Sequence, residues 1–350
     1  MVFPEFFPWQ TEFAQQWLGQ RNRFAHAWLI YGQQGIGKRQ LAYSAAAALL
    51  CEHPEQHLAC GHCSACQWIR TGNHPDLRLI RPDAIAFEEG DPALKNDNET
   101  ATTPKALSRD IRVDQIRSLG HWFNTATHRG GFRVAVLYPA NAMNTITANA
   151  LLKVLEEPPA HTVFFLVVDA PDALLPTIVS RCRLLAAPFP SQTQGLAWLT
   201  SQGIKQAKAW LAVAGNAPLL AYEQASKADN PCPEWMQSLM QSLVHQRLGD
   251  MSELANQLEK EPTAHWIDMQ QRLLIDLLLL HYGLSIRYFI EYQDLLLPYA
   301  LQLDPVALSE QGKWLAQQRS LASHPLNAKV WVQTALQRLF LSCKPVAMGS

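Results

Sequence analysis

A nine-residue stretch, GQQGIGKRQ at residues 32 to 40, narrows the folds open to this chain more than any other feature. Gly32, Gly37 and Lys38 occupy the fixed positions of the phosphate-loop pattern G-x-x-x-x-G-K-[ST], and Gly35 lies between them. In such a loop the backbone N–H groups cradle phosphates, the Lys reaches the outer phosphates and the final hydroxyl ligates Mg²⁺. The flanks suit it. AHAWLIYG (25 to 32) reads as a buried strand, and QLAYSAAAALLC (40 to 51), rich in Ala and Leu, as the helix that follows. A strand, a glycine loop and a helix in that order predict an α/β domain. The last position departs from the pattern, because Arg39 has no hydroxyl to offer a cation.

A hydrolytic site also needs acids at the end of a later apolar strand, to hold Mg²⁺ and orient water. The candidate is FRVAVLYPANAMN, yet Tyr138 and Asn141 stand where the two carboxylates belong. With Arg39 about 4 Å from a divalent ion, an effective dielectric near 20 would impose roughly 8 kcal/mol of repulsion. Three departures agree, so no ATP hydrolysis is expected. Nucleotide binding is left open, since backbone amides survive any side-chain change.

Four of the seven cysteines crowd into residues 51 to 66. Cys51, Cys60, Cys63 and Cys66, the last three reading C-x-x-C-x-x-C, suit a tetrahedral thiolate site for Zn²⁺. Four protein ligands would close the shell and make the metal structural. The alternatives are four free thiols, or His53, His57 or His62 in place of one Cys. An odd total with this clustering favours a metal in a reducing compartment over a disulfide framework.

Further short apolar runs appear at 76 to 80, 132 to 138, 162 to 168 and 183 to 189, separated by helical patterns such as VDQIRSLGHWFNTA and MNTITANALLKVLEE. That alternation predicts a parallel sheet covered by helices. Residues 83 to 110 are polar and aperiodic, and read as an exposed, mobile loop. After PFPSQTQ (188 to 194) the pattern turns helical to the end, and SKADNPCPEW (226 to 235) marks another boundary. The predicted domains are therefore an α/β domain over 1 to 187 carrying the cysteine module, a helical domain over 188 to 228, and an all-α domain over 229 to 350.

With 29 basic against 30 acidic residues the chain carries no overall field to attract nucleic acid, so any DNA contact needs a local patch or partner subunits. The start MVFPEFFPWQ lacks the basic-then-apolar form of a signal peptide, and RLLIDLLLLHYGL (272 to 284) is interrupted by Asp276 and His281. A cytoplasmic protein without a membrane segment is expected.

The block NALLKVLEEPPAHTVFFLVVDAPDALLPTIVSRC (149 to 182) resembles the AAA+ subunits of the bacterial DNA polymerase III clamp loader, as do the cysteine insertion, NHPDLRLI and IRVDQIR. The likeness covers residues 24 to 190, helped by AGNAPLLA at 214 to 221. It implies a RecA-like domain, a helical lid and a C-terminal collar, in a ring with tau or gamma motor subunits and the delta subunit. It also implies work on the sliding clamp and primed-template DNA. The resemblance implies that Arg181 of the Ser-Arg-Cys motif is an arginine finger reaching a neighbour's ATP. Its plainer reading is a salt bridge to Glu156 or Glu157. Lys153, Glu156 and Glu157 are either part of a subunit interface or a solvated helix face. In active relatives the lid bears a phosphate-sensing Arg, where this chain has Pro218. The alternative within the same family is an active motor ATPase.

Overall fold

The computed structural model describes residues 3–20, 24–91, 107–123, 125, 127–128, 131–247, 249, 251–320 and 328–345. The chain divides into two compact units, 1–194 and 195–350.

The first unit is built on five parallel strands, β1 (Ala27–Tyr31), β2 (Leu77–Ile80), β3 (Arg133–Leu137), β4 (Thr162–Val168) and β5 (Arg183–Ala186). They lie side by side in the order β2-β3-β4-β1-β5. The register pairs Leu29 with Leu166 and Ala135 with Phe164. Parallel strands are buried on both faces, which explains unbroken apolar runs such as TVFFLVV. All seven residues of β4 are buried, whereas the edge strand β5 is largely exposed.

The helices of this unit are α1 (Thr11–Leu18), α2 (Lys38–Leu50), α3 (Ser64–Thr71), α4 (Asp83–Glu88), α5 (Val113–Phe123), α6 (Thr145–Glu156) and the short α7 (Pro176–Val179). Helix α2 runs through the interior, and Ala45 to Ala48 are all buried. Small side chains let it approach the sheet closely. Helix α5 turns Ile116, Leu119 and Trp122 inward at helical spacing. Helix α6 buries Ala148, Leu151 and Leu155, and the Asn144 side chain caps it by accepting the Thr147 N–H at 2.9 Å. These residues share one core with Leu29, Leu137, Phe164 and Leu166.

The stretch expected as a loop over 83 to 110 needs correcting at its start. Residues 83–88 are helical, following Pro82, with Asp83 in the first turn where a negative charge favours the helix dipole. Residues 92–106 of that expectation lie outside the described residues, and 107–110 are irregular.

The second unit is helical throughout its described residues. A small cluster of Leu199, Trp210, Leu211, Ala214 and Ala221 belongs to its first helices. A larger core gathers around Trp266, Leu273, Leu277, Phe289 and Leu336. Here the buried Asp276 carboxylate accepts the N–H groups of Arg287, Tyr288 and Phe289 at 2.7 to 3.1 Å, which satisfies a non-helical bend. No helix among the described residues is long and apolar enough to cross a membrane.

Candidate functional site: a filled phosphate loop and a four-cysteine cluster

Strand β1 delivers the chain to Gly32, and the loop turns through positive φ at Gly32 (148°), Gly35 (81°) and Gly37 (90°) before α2 begins at Lys38. Only glycine enters that region without strain. The predicted strand, loop and helix are all present. Lys38, however, turns to its own chain: its Nζ donates to the Gln33 carbonyl at 2.7 Å and pairs with the Asp169 carboxylate at 2.8 Å, beyond the end of β4.

The end of the site where a cation would sit is filled as well. Arg39 pairs with Glu89, which also accepts the Tyr138 hydroxyl at 2.6 Å and pairs with Arg81 at 2.9 Å. Arg81 pairs in addition with Asp91 at 2.8 Å. The guanidinium carbons of Arg39 and Arg81 lie 5.8 and 5.9 Å from the Tyr138 ring centre, within cation–π range. Burial pushes the Tyr138 phenol well above its ordinary range; Arg81 opposes this and Glu89 adds to it, so the hydroxyl remains a donor at neutral pH. Tyr138 and Arg39 thus satisfy one another through Glu89, at a position where a hydrolase needs a carboxylate and a hydroxyl around Mg²⁺. Asn141 is exposed in a turn of 3₁₀ helix.

Residues 7 to 10 close over the loop. Trp9 Nε1 donates to the Ile36 carbonyl at 2.9 Å, and the fully buried Gln10 donates to the Gly37 carbonyl at 2.9 Å. A Cβ on Gly37 would meet the Phe7 ring at 2.7 Å.

Cys51, Cys60, Cys63 and Cys66 converge, all four sulfurs lying within 4.8 Å of one another. Cys51 Sγ is 3.5 Å from that of Cys60 and 3.9 Å from that of Cys63. A tetrahedral metal with bonds of about 2.3 Å would hold its sulfurs about 3.8 Å apart, so the donor set fits a metal ion. Three backbone amides point at the sulfurs: Cys60 N–H at Cys51, Cys63 N–H at Cys60 and Cys66 N–H at Cys63, at 3.3 to 3.5 Å. Such contacts favour thiolates. Burial raises the Cys63 thiol, but the amides of Cys66 and Glu52 outweigh it and bring Cys63 down to about 7. Burial pushes Cys51 up to about 11 and Cys66 higher still. Among the described residues no His joins this group.

Arg181 follows α7. Its Nη2 pairs with Glu156 at 2.6 Å and its Nη1 donates to the Thr177 carbonyl at 2.9 Å, with both charged side chains substantially exposed. Lys153 and Glu156 are exposed on α6, and Glu157 is exposed just past its end. Pro218 opens a helix over Pro218–Ala225, where its missing N–H costs nothing. Sequence reasoning missed Glu89, Arg81, Asp91, Asp169 and Gln10. Their partners lie 8 to 131 residues away in sequence, and no local pattern marks them.

Residues 10–190 match the family described as DNA polymerase III, delta subunit. A Yersinia pestis DNA polymerase III subunit delta' is 30% identical over 338 residues, covering 94% of this chain and 92% of that protein. The chain belongs to the delta-prime family of DNA polymerase III subunits. The Escherichia coli delta-prime subunit is 32% identical over 83% of this chain and 80% of its own length. The Pseudomonas aeruginosa delta-prime subunit is 41% identical over 62% of this chain, and the match spans 60% of that protein.

Proposed function

We propose that this delta-prime family chain is a non-hydrolysing AAA+ member of a clamp-loading assembly that acts on its neighbour's ATP. The observation that carries the reading is the occupied phosphate loop. Lys38 pairs with Asp169, and Arg39, Glu89 and Tyr138 bond to one another where a hydrolase places its Mg²⁺ ligands, which supports a loop that does not turn over Mg·ATP. In this reading Arg181 leaves Glu156 and completes the ATP site of a tau or gamma motor subunit in trans. An exposed ion pair of this kind is worth about 0–1 kcal/mol, a small barrier to such a swing. A finger supplied in trans is worth about 10³- to 10⁵-fold in rate. The partners would be the motor subunits, the delta subunit, the sliding clamp and primed-template DNA, in the cytoplasm. Residues 188–228 would serve as the lid and 229–350 as the collar. The four cysteines would hold structural Zn²⁺.

The test is ATP hydrolysis by the purified chain alone, then with motor subunits, delta, clamp and primed DNA, comparing wild type with Arg181→Ala. The isolated chain should be inert, and the variant should assemble yet lower DNA-stimulated turnover. Unchanged turnover in the assembly would remove the finger, and hydrolysis by the isolated chain would put the motor reading in its place.

A further inference from the structure

In a working nucleotide hydrolase the glycine loop is ordered by its ligand, because its N–H groups and Lys have phosphate to hold. In this chain two physical paths join the loop to the cysteine cluster instead. The first is α2. Gly37 caps its N-terminus, and Cys51, one of the four sulfur donors, caps its C-terminus.

The second path is the segment 3 to 10. Phe3 packs against the buried cluster of Cys51, Cys63, Ala65 and Cys66. Its ring lies 5.6 Å from the Arg70 guanidinium carbon, and Arg70 donates to the Gly61 carbonyl at 2.9 Å, inside the Cys60–Cys63 turn. Two residues on, the Glu5 carbonyl accepts from the Gln40 side chain at 2.7 Å, on the first turn of α2. Phe7, Trp9 and Gln10 then close on Ile36 and Gly37, as described above. The segment therefore touches the cysteine turn at one end and the phosphate loop at the other. An open groove of about 470 Å³, walled by Pro4, Glu5, Cys60 and His62, separates it from that turn between these contacts. Phe3 is the segment's packing contact with the cysteine cluster.

We infer that a metal held by the four cysteines orders the phosphate loop through residues 3 to 10, doing for this loop what bound nucleotide does in a hydrolase. The inference rests on the reading that the cysteines hold a metal. Removing the ion removes the bonds that tie the four sulfurs to one point, leaving only the weak contacts among Cys51, Cys60 and Cys63 to hold the turn. The turn that seats Phe3 then relaxes, and the segment loses its anchor at that end.

The experiment measures metal content of the purified full chain, then amide hydrogen exchange before and after chelation, in wild type and in Phe3→Ala. Chelation should speed exchange about tenfold or more at residues 33–38 as well as at 60–66. Phe3→Ala should keep its metal and its slow exchange at 60–66, yet loosen 5–10 and 33–38. A chain that binds no metal overturns both this inference and the metal reading. Metal loss that loosens only residues 51–72 overturns the inference and leaves the metal reading standing. Loosening that spreads to β3 and β4 marks unfolding of the whole unit; Phe3→Ala then decides, and a loop that stays protected in that variant overturns the coupling.

Discussion

Glu89 shows how much one side chain can settle. It is mostly buried, accepts the Tyr138 hydroxyl and pairs with both Arg39 and Arg81. Glu89→Gln keeps the shape but leaves the buried Arg81 with Asp91 alone, and should cost about 1–3 kcal/mol, read as a lower urea midpoint. An unchanged midpoint would mean that the network is decorative. Gly37 makes a second case. At φ +90° with Phe7 and Gln10 within 3 Å of a would-be Cβ, Gly37→Ala should destabilise by about 1–3 kcal/mol. Gly120, inside α5 with open space beside it, should behave oppositely, Gly120→Ala gaining about 0.5–1 kcal/mol in the same urea titrations. One glycine is required by its backbone and its neighbours; the other is only tolerated. The pattern G-x-x-x-x-G-K exposed the first kind of residue to sequence reading, because each glycine there answers a local backbone need. Glu89 answered a need created 50 residues away, and was invisible.

Among the elements, the strands were legible and the short helices α1, α3, α4 and α7 were not. A parallel strand buried on both faces must be apolar along its whole length, so β1, β3 and β4 announce themselves. Helix α4 is six residues long and mostly outside the core, and its following residues are held by Arg39 and Arg81, not by an apolar face. Periodicity carries no signal for such an element. The join between α3 and β2 yields a pH prediction. His74 is buried beside Trp68, 5.7 Å between ring centres, and its Nδ1 accepts the Asp76 N–H at 3.1 Å. Burial holds its imidazole below the ordinary value; Asp76 and Glu52 oppose this and His128 adds to it. The unfolded chain therefore binds the proton more readily than the folded one. Stability from this group is fully present above about pH 6.5 and is lost as pH falls through the lowered value. His74→Gln should flatten the fall in urea midpoint between about pH 7.5 and 5. An equally steep fall in the variant would assign the acid sensitivity to other groups.

For the molecule as a whole, the two units should answer differently to metal removal. Each kcal/mol lost from a unit of this size moves its melting midpoint by about 2–4 °C, so losing a metal that contributes about 10 kcal/mol should lower the first unit's transition by roughly 20 °C or more. The second unit, which holds none of the four clustered cysteines, should keep its own. Calorimetry with and without chelator checks both, and an unmoved first transition would mean that the cysteines contribute as thiols only.

The sequence by itself determined the α/β class, the strand–loop–helix around Lys38, the four-cysteine group and the absence of acids at Tyr138 and Asn141. Each is a matter of residue type at short spacing, where local backbone geometry is enough. Only the tertiary structure decided what fills the phosphate loop. Asp169 on Lys38, Glu89 between Arg39 and Tyr138, and Gln10 against Gly37 come from segments that meet only when the sheet assembles. Charge pairing and close packing act through space, and a chain records them nowhere along its length.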